Sequence, residues 1–172
     1  MSDQIMRGLV YGKGAHADPL ACVDDISAAI AARRISGSPH SIWQIVSHLN
    51  YWMDYDLRTI AGENPPYPQH AIESWPEHPD AANQSADVER QWQRAVQQFR
   101  ELLTRIVTLS ESDSATLELL VAKAEPADRQ RQCTVHTALW EIVVHNSYHL
   151  GQIALLRRQA GAWPPQRGSD TW

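Results

Sequence analysis

Apolar residues recur at spacings of three and four along four stretches of the chain, which is the period of an amphipathic helix. The clearest stretch covers residues 85–108, where charged and polar residues fill the remaining positions. The others cover residues 19–36, 38–61 and 135–160. No stretch shows the convincing alternation of apolar and polar residues that marks a half-buried strand. The pattern therefore predicts four helices and an all-α bundle.

Start and stop signals bound these predicted helices. Asp18-Pro19 and Ser38-Pro39 each place a capping side chain before a proline at the first helical position. Thr134 is a candidate N-cap for the last helix. A glycine, which commonly terminates a helix, follows three of the four stretches: Gly37, Gly62 and Gly161.

The remaining segments lack a helical period. Residues 1–17 are predicted to be an irregular lead-in, and residues 162–172 a tail. Residues 62–84 hold five prolines, a density that argues against regular structure. Residues 110–133 stay ambiguous, because their apolar run fits a short helix or an extended segment equally well. At this length the whole chain, residues 1–172, is expected to be one domain.

Composition narrows the functional classes. The net charge of −5 gives no basic footprint for nucleic acid, and the 15 Lys and Arg residues form no run that would favour a membrane surface. No window is apolar enough to span a membrane, and the first residues do not resemble a secretory signal, so we expect a cytoplasmic protein. Cys22 and Cys133 are expected to be reduced rather than bridged.

Two histidines in the last predicted helix, His145 and His149, lie one turn apart. Their side chains leave the same face, together with the apolar Ile142 and Ile153, so both imidazoles point towards the core. A metal ion would satisfy their buried nitrogens, although ordinary hydrogen bonds at a partly wet edge would do so too. Asn146 stands where H-E-x-x-H has its glutamate, which argues against a metalloprotease of that type.

His48 is the third histidine with an inward direction. It lies in the second predicted helix beside Ile45 and Trp52. A single inward histidine is most often a satisfied core residue, so His48 gains weight as a ligand only in company with His145 and His149.

Three segments together resemble the DinB/YfiT-like superfamily of metal-dependent enzymes. They are Ser-Ile-Trp-Gln-Ile-Val-Ser-His-Leu-Asn-Tyr-Trp at 41–52, Leu-Trp-Glu-Ile-Val-Val-His-Asn-Ser-Tyr-His-Leu-Gly-Gln-Ile at 139–153, and Gly-Ala-Trp-Pro at 161–164. The order and separation of these segments match as well. The resemblance therefore covers nearly all of the chain after about residue 18.

The resemblance implies a four-helix bundle with up-down-down-up connections, in which His48, His145 and His149 bind a divalent metal and water completes the coordination. It also implies a small-molecule substrate, frequent homodimers and, in some members, transfer of a low-molecular-weight thiol. Three imidazoles suit Zn, Ni, Cu or Fe better than Mg or Ca, and three ligands leave the open position of a catalytic site. We therefore expect a Zn- or Ni-dependent transferase or hydrolase; the alternatives are a non-enzymatic metal- or small-ligand-binding stress-response module and a purely structural dimer.

Five further residues are candidates for the surroundings of the metal. Gln44 lies one turn before His48, and Glu141 one turn before His145, so either side chain can orient a ligand ring. Glu141 can equally be a solvated residue of the early helix. Trp52, Tyr55 and Tyr148 are candidates for the pocket wall, with plain core packing as the alternative.

Overall fold

The computed structural model describes residues 2–12, 16–77, 86–126 and 129–167. These residues are mostly helical, with one small antiparallel sheet, so the expectation of a purely all-α fold is wrong in that detail. The elements in chain order are α1 (Ser2–Val10), α2 (Ala28–Ala31), α3 (Ile42–Ile60), a 3-10 turn (Ala71–Ser74), α4 (Ala86–Ser110), α5 (Ser114–Leu117), β1 (Leu120–Glu125), β2 (Arg129–Thr134) and α6 (Val135–Gln159).

The three long helices agree with the apolar pattern. α3 packs against both α4 and α6, and the core lies between them. Thr134 caps α6 as predicted, accepting a hydrogen bond from the Thr137 backbone N–H. α3 starts later than Ser38-Pro39 indicated, because Ser41 and Gln44 form a reciprocal capping box. The start of the predicted 85–108 helix at Ser85 falls outside the described residues.

The helix predicted for residues 19–36 is wrong. This segment forms turns followed by the single-turn α2, although its apolar residues, including Cys22, Val23 and Ile26, are buried as the pattern requires. Tertiary partners bind backbone groups that a helix would pair internally. The Trp92 indole donates to the Ile26 carbonyl, and the Glu89 carboxylate accepts from the Ala28 N–H.

The lead-in is also not wholly irregular. Residues Ser2–Val10 form α1, which packs against α4 and α6. Met6 and Val10, one turn apart, are buried in the core, whereas Ile5 is 54% exposed. A two-residue apolar stripe on so short a helix is a weak signal, and Gly8 and Gly12 obscured it.

The ambiguous 110–133 segment contains both of the structures that its pattern allowed. Asp113 caps the single turn of α5, and β1 and β2 then form an antiparallel hairpin. In this hairpin Lys123 pairs directly with Arg131, so both cations extend from the same face of the ribbon. The hairpin packs on α3 and α6.

Two connecting segments return to the core. The proline-rich segment contains the 3-10 turn Ala71–Ser74, contrary to the expectation of no regular structure, and the turn contacts α3. Its last seven residues, from 78 to 84, lie outside the described residues, as do residues 168–172 of the tail. The described part of the tail folds back, because the Gln166 N–H donates to Asp25.

Cys22 and Cys133 are separate buried thiols, and burial raises the pKa of Cys22 to about 11. Within the described residues, no helix has the length and apolar character needed to cross a membrane.

Candidate metal centre

His48, His145 and His149 meet in the core between α3 and α6. Each ring offers one nitrogen, and these three nitrogens lie within 4.8 Å of one another. Nε2 of His48 and Nε2 of His145 are 3.3 Å apart. Ring centroids are 4.7–5.2 Å apart. The structure thus brings together the three histidines that the sequence singled out.

Backbone and side-chain acceptors fix two of the rings. Nδ1 of His48 lies 3.2 Å from the Ser74 carbonyl, and Nδ1 of His149 lies 2.8 Å from Oε1 of Gln152. Both partners accept, so each Nδ1 carries the proton and each Nε2 keeps its lone pair. This is the arrangement in which an outer hydrogen bond sets the tautomer of a metal-binding histidine.

Trp75 stacks between two imidazoles. Its ring centroid lies 3.9 Å from that of His48 and 3.7 Å from that of His40, and the planes are within 8° of parallel. Two rings this close to one centroid cannot share a face, so His40 and His48 cover opposite faces of the indole. The stack holds the His48 ring in position from the side of the 3-10 turn.

The cluster is held neutral by its surroundings. Burial, together with the neighbouring imidazoles, lowers the pKa of His48 to about 4, although the hydrogen bond to the Ser74 carbonyl acts in the opposite direction. Burial likewise lowers the pKa of His145 to about 4, helped by His149 and by the positive charge of Lys123. The pKa of His149 is also lowered by burial. At neutral pH all three rings are therefore neutral imidazoles, each with one N–H and one nitrogen lone pair, which is the form that binds a metal.

The donor set fits a divalent transition metal. Two imidazole nitrogens bound to one tetrahedral zinc at 2.0–2.1 Å would be about 3.3 Å apart, and Nε2 of His48 and Nε2 of His145 are 3.3 Å apart. Three imidazoles without a carboxylate favour a borderline metal over Mg or Ca. Three protein ligands also leave at least one position for a water or a substrate atom.

A cavity of about 670 Å³ adjoins the cluster at His149, and His40 and Trp75 also line it. Tyr148, one of the predicted pocket residues, lies at its rim with 66% of its surface exposed. The Tyr148 ring is 5.0 Å from the His149 ring. Of the three clustered histidines, His149 is the one that lines this cavity.

Trp52 and Tyr55, the other two predicted pocket residues, do not line the cavity at His149. The Trp52 ring meets His48 edge-on at 6.4 Å and contacts Tyr55 at 5.4 Å. Both line a second cavity of about 360 Å³, whose wall includes Asp56 and Lys123. These two aromatic residues therefore face a charged cavity next to the cluster.

Gln44 and Glu141 have partners other than the histidine rings. The Gln44 amide donates to the Pro76 carbonyl, in addition to its part in the capping box, and so holds the loop that carries Trp75. Glu141 pairs with Lys123 at 2.9 Å and with Arg131 at 2.8 Å. Burial alone would raise the pKa of Glu141, but these hydrogen bonds outweigh it and hold the pKa below its ordinary value.

Sequence reasoning missed the residues that orient the rings. Gln152 had a usable signal, because it lies three residues after His149 on the same helix and such pairs are neighbours. No such signal exists for Ser74, Trp75 and His40. They lie outside the long helices, where the spacing of residues does not predict which side chains approach α3.

The fold and the site together define a class of protein. It is mostly helical, and it holds three clustered imidazoles between two long helices. The family model of the DinB superfamily matches residues 14–153, and the chain belongs to this superfamily. No curated protein and no solved structure matches the chain.

Proposed function

We propose that the protein is a metal-dependent enzyme in which His48, His145 and His149 hold a divalent transition metal, zinc or nickel. The observation that carries the proposal is the open cluster of three neutral imidazoles beside a cavity large enough for a substrate. The reaction we propose is transfer of a low-molecular-weight thiol to a small electrophile, or a related hydrolysis. This reaction class rests on membership of the DinB superfamily.

The chain's own residues orient the histidine rings and exclude water from part of the site. Ser74 and Gln152 hold the His48 and His149 rings with Nε2 directed inwards. The Trp75 stack keeps bulk water from one side of His48. When bound, the metal supplies Lewis-acid activation of a thiol or water nucleophile near neutral pH.

Metal content tests the site. Protein purified without an affinity tag, loaded with Zn²⁺ or Ni²⁺ and dialysed, should hold about one ion per chain. His48→Ala, His145→Ala and His149→Ala should each lower that content about tenfold. His136→Ala is the matched control, because His136 lies on α6 and hydrogen-bonds Trp140 rather than the cluster. Equal metal content in the wild type and His145→Ala would contradict the site.

A turnover screen tests the enzyme. Low-molecular-weight thiols are combined with small electrophiles, and loss of the free thiol is measured. Turnover in the wild type that disappears in a folded His48→Ala variant would support an enzyme. Stoichiometric metal without turnover would instead favour a non-enzymatic binding module.

We also propose that α1, α3, α4 and α6 are the four helices of the superfamily's up-down-down-up bundle. The supporting observation is their packing, since α1 and α3 each contact both α4 and α6. The setting we propose is a cytoplasmic homodimer with a small-molecule substrate. Light scattering on the purified protein would test the dimer.

A further inference from the structure

The cavity at His149 has an unusual wall. Among the residues that the structure describes, thirteen line it, and none of these is Asp, Glu, Lys or Arg. Aliphatic and aromatic side chains, including Ile45, Leu155 and Leu156, make up the apolar part, and serine, glutamine, tyrosine and histidine side chains make up the polar part. The second cavity, beyond Trp52, contrasts with it, because Lys123, Arg129 and Arg131 belong to its wall.

Trp75, one of the aromatic residues of the wall, presents its edge rather than a face. Both faces of the Trp75 indole are covered by His40 and His48, so the indole can contact a ligand only with its rim. A ring edge carries partial positive charge and prefers the face of another aromatic ring. Leu155 and Leu156 supply an aliphatic surface beside it.

We propose that this cavity binds the body of a neutral substrate that carries an aromatic or similarly flat apolar group. The inference deepens the proposed function and rests on it for the identity of the site. A carboxylate or an ammonium group placed in the cavity would lose water without meeting an opposite charge in the wall. The preference for a neutral group applies to the part of the substrate that lies in this cavity. The reacting group itself can be an anion, since the metal can bind it.

The test uses metal-free protein in excess EDTA, so that ligand binding is read without any contribution from the metal. The probes are 2-naphthamide, 2-naphthoate and 2-naphthylmethylammonium, which share one aromatic body and differ in charge. Titration followed by NMR should show that the wild-type chain binds the amide about tenfold more tightly than either ion.

Two arginine substitutions on α6 locate the binding. Leu155 lines the cavity and is 55% exposed, so Leu155→Arg adds a cation there without disturbing the core. Val144, 61% exposed on the same helix, is not among the lining residues and provides the matched control. The preference for naphthamide over naphthoate should fall about fivefold in Leu155→Arg and stay unchanged in Val144→Arg.

Naphthoate or the ammonium probe binding as tightly as the amide would overturn the proposal. So would equal preferences in the two arginine variants, or no binding of any probe. Metal content is measured separately on the same preparations before EDTA is added. A chain that binds zinc but shows no charge preference would leave the metal site intact and remove only the substrate class.

Discussion

Trp75 connects the candidate metal centre to a segment outside the long helices. It stacks on His48 while the neighbouring Ser74 carbonyl accepts from the same ring. One short stretch of chain thus fixes both the plane and the tautomer of a proposed ligand. Outer contacts of this kind commonly change metal affinity by about ten- to a hundredfold when removed.

Trp75→Ala should therefore weaken Zn²⁺ binding by roughly tenfold, because the His48 ring loses the surface that orients it. Trp75→Phe keeps a flat ring at the same place and should recover most of the affinity. Competition with a chromogenic chelator measures both values. Unchanged affinity in Trp75→Ala would show that the stack contributes nothing to ligand placement.

At the scale of elements, periodicity predicted the helices that carry the ligands. His48 on α3 and His145 and His149 on α6 came from long amphipathic patterns, where direction follows from spacing. The prediction of a helix over residues 19–36 failed although it used the same kind of pattern. Its residues are buried as expected, but Trp92 and Glu89 bind the backbone groups of Ile26 and Ala28 that a helix needs.

Ser74 and Trp75 show the other limit of sequence reasoning. Their approach to His48 depends on how the proline-rich segment returns to α3, and local composition does not encode that path. The Gln44 amide donates to the Pro76 carbonyl in this segment, and the sequence did not predict this contact either. The inward direction of the three histidines was thus predictable from the helices, and the family resemblance suggested that they act together as ligands. The contacts that orient their rings were predictable from neither.

α1 should contribute to stability through its buried face. Met6→Ala removes a fully buried side chain and should lower the free energy of unfolding by about 3 kcal/mol. Ile5→Ala, at the adjacent exposed position, should change it by less than about 0.5 kcal/mol. Urea denaturation measures both. Equal effects of the two substitutions would mean that α1 does not pack on the core.

At the scale of the whole molecule, Arg157 ties together three distant parts of the chain. Its guanidinium is buried and donates to the Ala21 and Ala162 carbonyls and, at 2.7 Å, to Asp25. The Gln166 N–H donates to the other oxygen of Asp25. α6, the 18–26 turns and the tail therefore share one hydrogen-bonded centre.

This centre predicts a dependence of stability on pH. Burial alone would raise the pKa of Asp25, but hydrogen bonds from Arg157 and Gln166 outweigh it and hold the pKa below its ordinary value of 3.8. A depressed pKa in the folded state means that ionised Asp25 stabilises the protein above pH 3.8, and that this contribution is lost as the pH falls through the lower, folded-state value.

Asp25→Asn should cost about 2 kcal/mol of unfolding free energy at pH 7, since it leaves the buried Arg157 without its counter-charge. The difference from the wild type should shrink as the pH is lowered towards 3 in urea titrations. Asp24→Asn is the control, because Asp24 pairs with the exposed Arg167 and such a pair contributes at most about 1 kcal/mol. A deficit for Asp25→Asn that does not change with pH would contradict the linkage.

The stack of His40, Trp75 and His48 also bears on how such a protein can diversify. His48 lies on the long helix α3, whereas Trp75 lies on a connecting segment, and lengthening a loop adds little to its closure entropy. Insertions between α3 and α4 that leave Ser74 and Trp75 unchanged can therefore reshape one wall of the cavity while the contacts that orient His48 are kept. For an engineer, the positions that flank Ser74 and Trp75 are the part of the molecule in which to place a library for new substrates.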